Sequence, residues 1–475
     1  MLKVTKQFIS SVVIFGLLFP ALASIAYSGN GESWMEIYSG DDKVGYSYKN
    51  VNIDGNITVL SEKTLINLDV LGLQTEMFIE GDYKLDNFFV SSFKYSVTSD
   101  SIGLKLTGNI EDNILKITDV EKNREQTFEI NNKYIVPSIL PEYIVKKGLE
   151  EGNIFHVFLF DPVNIFTGYD PDGLKAEITV LGKEKVKTDL VEFNANKVVV
   201  SYLGTDSVIW LTSEGKEVKE EFEPSLTSYI SNKQNALENK NSSLDITEKT
   251  SIPSNKYIHN PRSTNRMVVK LGGLSSYDGL TLDDGYYQFL KGDVIEIKSP
   301  KLPGSSVYEI PYKDKKESEF LSGSVLIDKD DGNIVSQSRK IVKEEKNSVK
   351  AVKLINQWIY ENLEKTPTVS IPTAVDVLAS RKGDCNEHSV LFAAMTRSIG
   401  IPTKVVLGLV YLDGRFYYHA WNEVYLGSWV PVDSTFGQFP ADATHIKLLE
   451  GDISKSPEIL RVVGKIKLEI VETNL

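Results

Sequence analysis

From Trp34 to about Ile230, apolar side chains recur at every second position, and that period leaves the chain few ways to fold. Val44, Tyr46 and Tyr48 alternate with polar neighbours, as do Phe93, Tyr95 and Val97. Successive side chains of a strand point to opposite faces, so this period predicts strands with one buried face. Leu104 and Leu106 lead to Ile110, where Glu111-Asp112-Asn113 turns the chain towards Ile114. Gly, Asn and Asp at such breaks fit an antiparallel sheet. Pro141 to Glu150 reads as a helix, with proline early, where its missing N–H costs nothing.

The rest of the chain divides by composition. Residues 31–231 are expected to form the antiparallel β-rich domain, and residues 232–256, rich in Asn, Lys and Ser, a polar linker. Strand signals return over 257–345, in Met267–Leu271 and Val307–Ile310, which predicts a β-rich connecting region. Within it, Asp328–Asn333 invites a calcium-loop reading. Counted from Asp328, glycine is fifth and the twelfth residue is Arg339, where a calcium loop needs Gly sixth and Glu twelfth. The run is instead expected to be a hairpin turn. Residues 346–475 change character. Val349, Val352, Ile355, Trp358, Ile359 and Leu363 sit at helical spacing, so Ser348 to Glu364 predicts an amphipathic helix. A short helix capped by Thr373 follows, then a helix from Cys385 to about Ser398. Strands are expected at Lys404–Tyr411, Phe416–Tyr425 and Trp429–Val432, with Asp413-Gly414 turning between the first two. The fold class is thus α+β, a β-rich N-terminal domain before a mixed C-terminal one.

Two lysines, Lys3 and Lys6, precede an uncharged run whose apolar centre is Val12 to Ala23, and Ala21-Leu22-Ala23 ends it in a small-x-small pattern. This predicts a signal peptide over 1–23 and an exported, periplasmic or extracellular protein, the alternative being an uncleaved N-terminal anchor. The whole chain carries 52 Lys plus Arg against 65 Asp plus Glu, a net charge of −13. An acidic chain gains nothing from the phosphate backbone, so nucleic acid is not an expected partner.

The chain has one cysteine, so it cannot close a disulfide within itself or build a multi-cysteine zinc site. No cofactor or metal is expected. Cys385 stands at the start of a predicted helix behind a capping Asp384, where the helix dipole favours thiolate. His419 lies in a predicted strand and Asp433 just beyond the next one. Thiol, imidazole and carboxylate are the parts of a nucleophilic triad. If Tyr425 pairs with Trp429 across Leu426-Gly427-Ser428, Trp421 falls opposite Asp433 and His419 lies diagonally beside it on the same face. A two-residue loop would separate them. His388, one turn beyond Cys385, is the competing base, but it lacks an evident carboxylate. His445 is a candidate pocket residue, and Trp358 a candidate oxyanion donor or core residue.

Four blocks carry a resemblance: Gly383-Asp384-Cys385-Asn386-Glu387-His388-Ser389, Arg397-Ser398-Ile399-Gly400-Ile401-Pro402-Thr403, Tyr418-His419-Ala420-Trp421-Asn422-Glu423-Val424-Tyr425 and Trp429-Val430-Pro431-Val432-Asp433-Ser434-Thr435. In this order and spacing the segment from Thr373 to Gly451 resembles the bacterial transglutaminase-like superfamily. The resemblance implies a papain-like core with Cys385, His419 and Asp433 as catalytic triad. It further implies a cysteine amidohydrolase or acyltransferase that cleaves or transfers protein or peptide amides through a thioester on Cys385. Nothing outside the core resembles the large animal crosslinking enzymes, so their calcium dependence is not implied. The alternative is a non-catalytic envelope module that keeps the groove to hold a peptide or an envelope-associated protein.

Overall fold

A computed structural model describes residues 31–474 apart from 71, 101–102, 189–190, 223–225, 239–241, 304–306, 369–370 and 372. Residues 1–23, where a signal peptide is expected, lie outside the described residues. The chain forms two compact units, with the boundary between Ile246 and Thr247.

The first unit is β-rich. Strands Gly31–Ser39, Asp42–Asp54, Ile57–Val70, Leu73–Asp86 and Phe89–Thr98 run as an antiparallel meander. On its other side the first strand pairs with Leu226–Ser231. Pairing then continues through Glu217–Phe222, Thr205–Leu211, Glu192–Tyr202, Lys175–Lys187 and Ile154–Leu159. Ile154–Leu159 lies parallel to Tyr134–Ile135, whose Ile135 faces Phe89, so the pairings close a barrel-like ring. Leu60, Ile66, Leu68, Met77 and Leu85 line its buried face at alternate positions. The predicted helix runs over Leu140–Lys147. The fully buried Lys49 holds it by donating to the Ser138 carbonyl at 2.6 Å and to Glu142 at 3.0 Å.

The expected linker, 232–256, is corrected by the structure into a series of short elements. Asn232 caps a helix over Lys233–Leu237, and Leu244–Asp245 pairs with Leu68–Asp69. In the second unit Ile252–Pro253 pairs with Phe416 and Arg415. The polar residues that suggested a linker serve as caps, while Ala236, Leu244 and Ile246 are buried.

The connecting region 257–345 carries part of the strands expected of it. Its strands Arg266–Gly272, Gln288–Lys291 and Val294–Lys298 form one sheet with the C-terminal strand Lys467–Asn474, a pairing too distant in sequence to read from local pattern. Val307–Ile310 contributes only the isolated bridge Glu309↔Asn347. Asp328–Asn333 is no hairpin: Asp331 accepts the N–H groups of Asn333 and Ile334 and caps a helix over Gly332–Val342.

A further sheet places Arg415–Tyr425 between Thr403–Leu412 and Trp429–Val432, and Thr403–Leu412 also pairs with His445–Gly451. Against it lies the helix Cys385–Ser398, buried from Cys385 through Arg397. Helices Gly332–Val342, Ser348–Asn362 and Ala374–Ser380 pack around it. A helix covered on all sides must satisfy its polar groups internally. Thr396 donates to Phe392 O, and Arg397 donates to Thr403 O at 3.0 Å and Ser322 O at 2.7 Å.

Candidate active site

Cys385 is the first residue of its helix, held there by a capping box. The Asp384 side chain accepts the Asn386 N–H at 3.0 Å, and Glu387 accepts the Asp384 N–H at 2.9 Å. Thr368 donates to the other oxygen of Glu387 at 2.9 Å. Gly383, at φ +153°, supplies the entry: a Cβ there would lie 2.2 Å from the Glu387 Cβ. The helix start is thus locked immediately before the thiol.

The His419 strand is tied to this helix by Asn422, whose amide donates to Ser389 O at 3.1 Å and Lys404 O at 3.3 Å. Tyr425 pairs with Trp429 and Asn422 with Val432, so the ladder to the Trp429 strand ends just before the site. Beyond that point the Ala420 backbone lies near enough to Cys385 to favour its thiolate form.

His419 Nε2 and Asp433 Oδ2 are 2.8 Å apart. Asp433 Oδ1 accepts the N–H groups of Thr435 at 2.7 Å and Phe436 at 3.0 Å. Oδ2 also meets His445 Nε2 at 2.9 Å. Two backbone donors on Oδ1 fit Asp433 as a carboxylate, and to a carboxylate each imidazole presents an Nε2–H. His419 Nδ1 is buried with no hydrogen-bond partner among the described residues, which leaves it as the nitrogen available to a thiol. Trp421 stacks on the His419 ring at 6.1 Å and meets the His445 ring edge-on at 5.2 Å.

Cys385, His419 and Asp433 are each 0% exposed. Burial, then the Asp384 carboxylate, pushes the thiol well above its ordinary value. Burial lowers His419, although Asp433 pulls the other way. Burial opposes the Asp433 charge, but the charge and hydrogen bond of His419, with those of His445, hold its acid form well below the carboxylate range. The resting site is therefore a neutral thiol and a neutral imidazole on a charged carboxylate. A thiolate in so buried a site needs a neighbouring cation. The helix dipole inferred from sequence is outweighed by burial and by the acidic cap.

His388 Nδ1 lies 2.6 Å from the Asp384 carbonyl, so it carries the proton there, and burial lowers the ring to about 4. It is a neutral helix residue whose Nε2 has no hydrogen-bond partner among the described residues. Trp358 is half-buried beneath Arg381, whose guanidinium lies 4.3 Å from its ring. His419, Asp433 and His445 bring metal-capable atoms within 4.8 Å of one another. Their separations of 2.8 and 2.9 Å are hydrogen-bond lengths, and a cation would have to displace both imidazole protons.

Residues 335–434 match the model of the transglutaminase-like superfamily, and Cys385, His419 and Asp433 all fall within that span. This part of the chain is a transglutaminase-like domain. An uncharacterized protein of Haemophilus influenzae is 29% identical over 192 residues, covering 33% of this chain and 50% of that protein. The kyphoscoliosis peptidase of Mus musculus is 32% identical over 124 residues, 22% of this chain and 18% of the peptidase. The chain thus spans half the length of one curated relative and under a fifth of the other. The solved structure of a proposed cysteine protease from Cytophaga hutchinsonii aligns with 44% of this chain and 87% of its own, at 15% identity and a TM-score of 0.28, too distant to carry an argument.

Around the transglutaminase-like domain the structure adds groups that sequence reasoning missed. Asp442 accepts at the far side of His445, 3.1 Å from Nδ1 through its carbonyl, and pairs with Arg262 at 3.0 Å. Arg262 lies far outside the resembling segment, and only the fold brings it to this place. The clustering of Asp442 and His445 three residues apart was the one available sequence signal.

Proposed function

We propose that the transglutaminase-like domain is a cysteine amidohydrolase or acyltransferase acting on protein or peptide amides, with Cys385 as nucleophile, His419 as base and Asp433 as its anchor. The observation that carries this reading is the His419 tautomer: Nε2 is committed to Asp433, and buried Nδ1 is left without a hydrogen-bond partner among the described residues. The thiol proton passes to Nδ1 as sulfur attacks the amide carbonyl. The Cys385 N–H, at the first turn of its helix, is a donor for the oxyanion. Nδ1–H then protonates the leaving amine, the C–N bond breaks and a thioester remains. Water, giving a proton to His419, releases an acid and restores the thiol. An amine in place of water yields a new amide. The pattern at 1–23 supports export, and purified protein beginning at Ser24 is expected. An intact Met1 would overturn it.

The full burial of the thiol favours a second reading, a binding module that keeps the fold without turnover. Carboxamidomethylation by iodoacetamide separates the two. With one cysteine in the chain, every added label reports Cys385. The enzyme reading expects labelling near pH 7 that slows at least tenfold in His419→Ala, and an acyl–Cys385 peptide after incubation with peptide amides. Labelling indifferent to His419 supports the binding module.

A further inference from the structure

We infer that His445 is a positioning residue of this site: a doubly protonated imidazole that shares Asp433 Oδ2 with His419 and is braced from behind by Asp442 and Arg262. The inference rests on the reading of Cys385 and His419 as a working pair. The argument is one of donors and acceptors. His445 Nε2 faces Asp433 Oδ2 at 2.9 Å, and Nδ1 faces the Asp442 carbonyl at 3.1 Å, with Asp442 Oδ1 at 3.5 Å. A carbonyl cannot donate, and Asp433, whose Oδ1 accepts the Thr435 and Phe436 N–H groups and whose acid form is held well below the carboxylate range, presents a charged Oδ2. Both ring nitrogens must therefore carry hydrogen.

The surroundings fit that charge. His445 is 1% exposed and meets the carboxylates of Asp433 and Asp442, with the His419, Trp421 and Phe436 rings as its aromatic neighbours. Asp442 pairs with Arg262, whose guanidinium lies 4.4 Å from the Phe436 ring. The buried His445, Asp433 and Asp442 are matched by the half-buried Arg262, with Lys365 also acting on Asp433. Against burial, Asp442 and the bond to Asp433 raise the His445 ring to about 9.

The consequence reaches the thiol through Asp433. The groups acting on Cys385 are Asp384, Glu387 and Asp433. Those acting on His419 are Asp433, His445 and Arg262. His445 offsets the Asp433 charge that His419 would otherwise feel in full. Without that cation, each proton bound by the Cys385–His419 pair is held more tightly, so both midpoints of the pair move to higher pH.

The test is the pH profile of iodoacetamide labelling at Cys385 in wild type, His445→Gln and His419→Ala. Glutamine can still donate one N–H to Asp433 but carries no charge. The expected result is an upward shift of the profile's midpoints by about one pH unit in His445→Gln. A slower rate with unmoved midpoints would reduce His445 to packing and overturn the inference. If His419→Ala leaves the wild-type rate unchanged, the working pair itself fails, and the role given to His445 fails with it. Nitrogen-15 NMR of the five histidines in Cys385→Ser checks the protonation state without any substitution at His445. One imidazolium is expected at pH 7.5, and five neutral rings would overturn the inference.

Discussion

At the scale of single residues, the site turns on what Asp433 accepts. Its two oxygens take four donors, two from imidazoles and two from the backbone. An asparagine keeps the shape but places an amide N–H against one of those donors. Asp433→Asn is therefore expected to displace His419 from its tautomer and slow Cys385 labelling by about 10²-fold or more, the range of a lost acid–base function. It also leaves the His445 cation less compensated, which costs about 3–5 kcal/mol of stability. Labelling kinetics and thermal melting check the two parts separately. His388→Gln gives the contrast: its ring is neutral and its Nδ1 is spent on the Asp384 carbonyl. Labelling is expected within about threefold of wild type, since no acid–base step passes through it. The contact of His419 with Asp433 was legible because residue type and strand spacing suffice for it. His445 was legible only as a candidate, and Arg262 not at all. Its contact with Asp442 spans 180 residues of chain, and local sequence pattern reports nothing at that distance.

At the scale of elements, the site depends on how closely two strands approach. Gly408 faces His419 across the ladder, and a Cβ there would lie 2.1 Å from the Ile446 carbonyl and 2.7 Å from the Trp421 ring. The backbone on one side cannot give way, because Ile446 is paired with Leu409 in the strand that begins at His445. Gly408→Ala is expected to push that strand outward, to destabilise the unit by about 1–3 kcal/mol or more, and to slow labelling. A variant that melts and labels like wild type would show that the close approach is not required. The strands and the Cys385 helix were readable because each carries its own signal: a period, a cap, or Asp413-Gly414 at the turn. The hairpin expected at Asp328 failed for a related reason. Asp and Gly serve a turn and a helix cap alike, and only the apolar spacing of Ile334 and Val342 on the following helix distinguishes them.

At the scale of the whole molecule, the two units bury titratable groups of opposite kind, so their stabilities answer to pH in different windows. In the β-rich unit, burial raises Glu62 to about 7 and Asp161 to about 6, each against hydrogen bonds that favour the charged form. An acid whose folded value is raised leaves the unfolded chain readier to ionise. The unit therefore loses stability as pH climbs from the ordinary carboxylate range towards 7, and these two groups add nothing further above it. In the unit holding the site, His445 is raised from 6.5 to about 9. A base with a raised folded value contributes fully below 6.5 and loses that contribution as pH rises through 9. Its shift corresponds to on the order of 3 kcal/mol, or roughly 6–12 °C in melting temperature for a unit of this size. Trp34 and Trp210 report the first unit, and Trp358, Trp421 and Trp429 the second, so hydrogen exchange combined with tryptophan fluorescence follows both. Between pH 7 and 9.5 the second unit is expected to soften while the first stays level. Asp433 and Asp442 stay ionised across that interval because their folded values lie below the ordinary carboxylate value. Up to about pH 8 the softening therefore belongs to His445 and should shrink in His445→Gln, whereas above that the raised Cys385 thiol adds a further loss in both proteins. An equal loss in that variant would place the alkaline transition elsewhere in the unit.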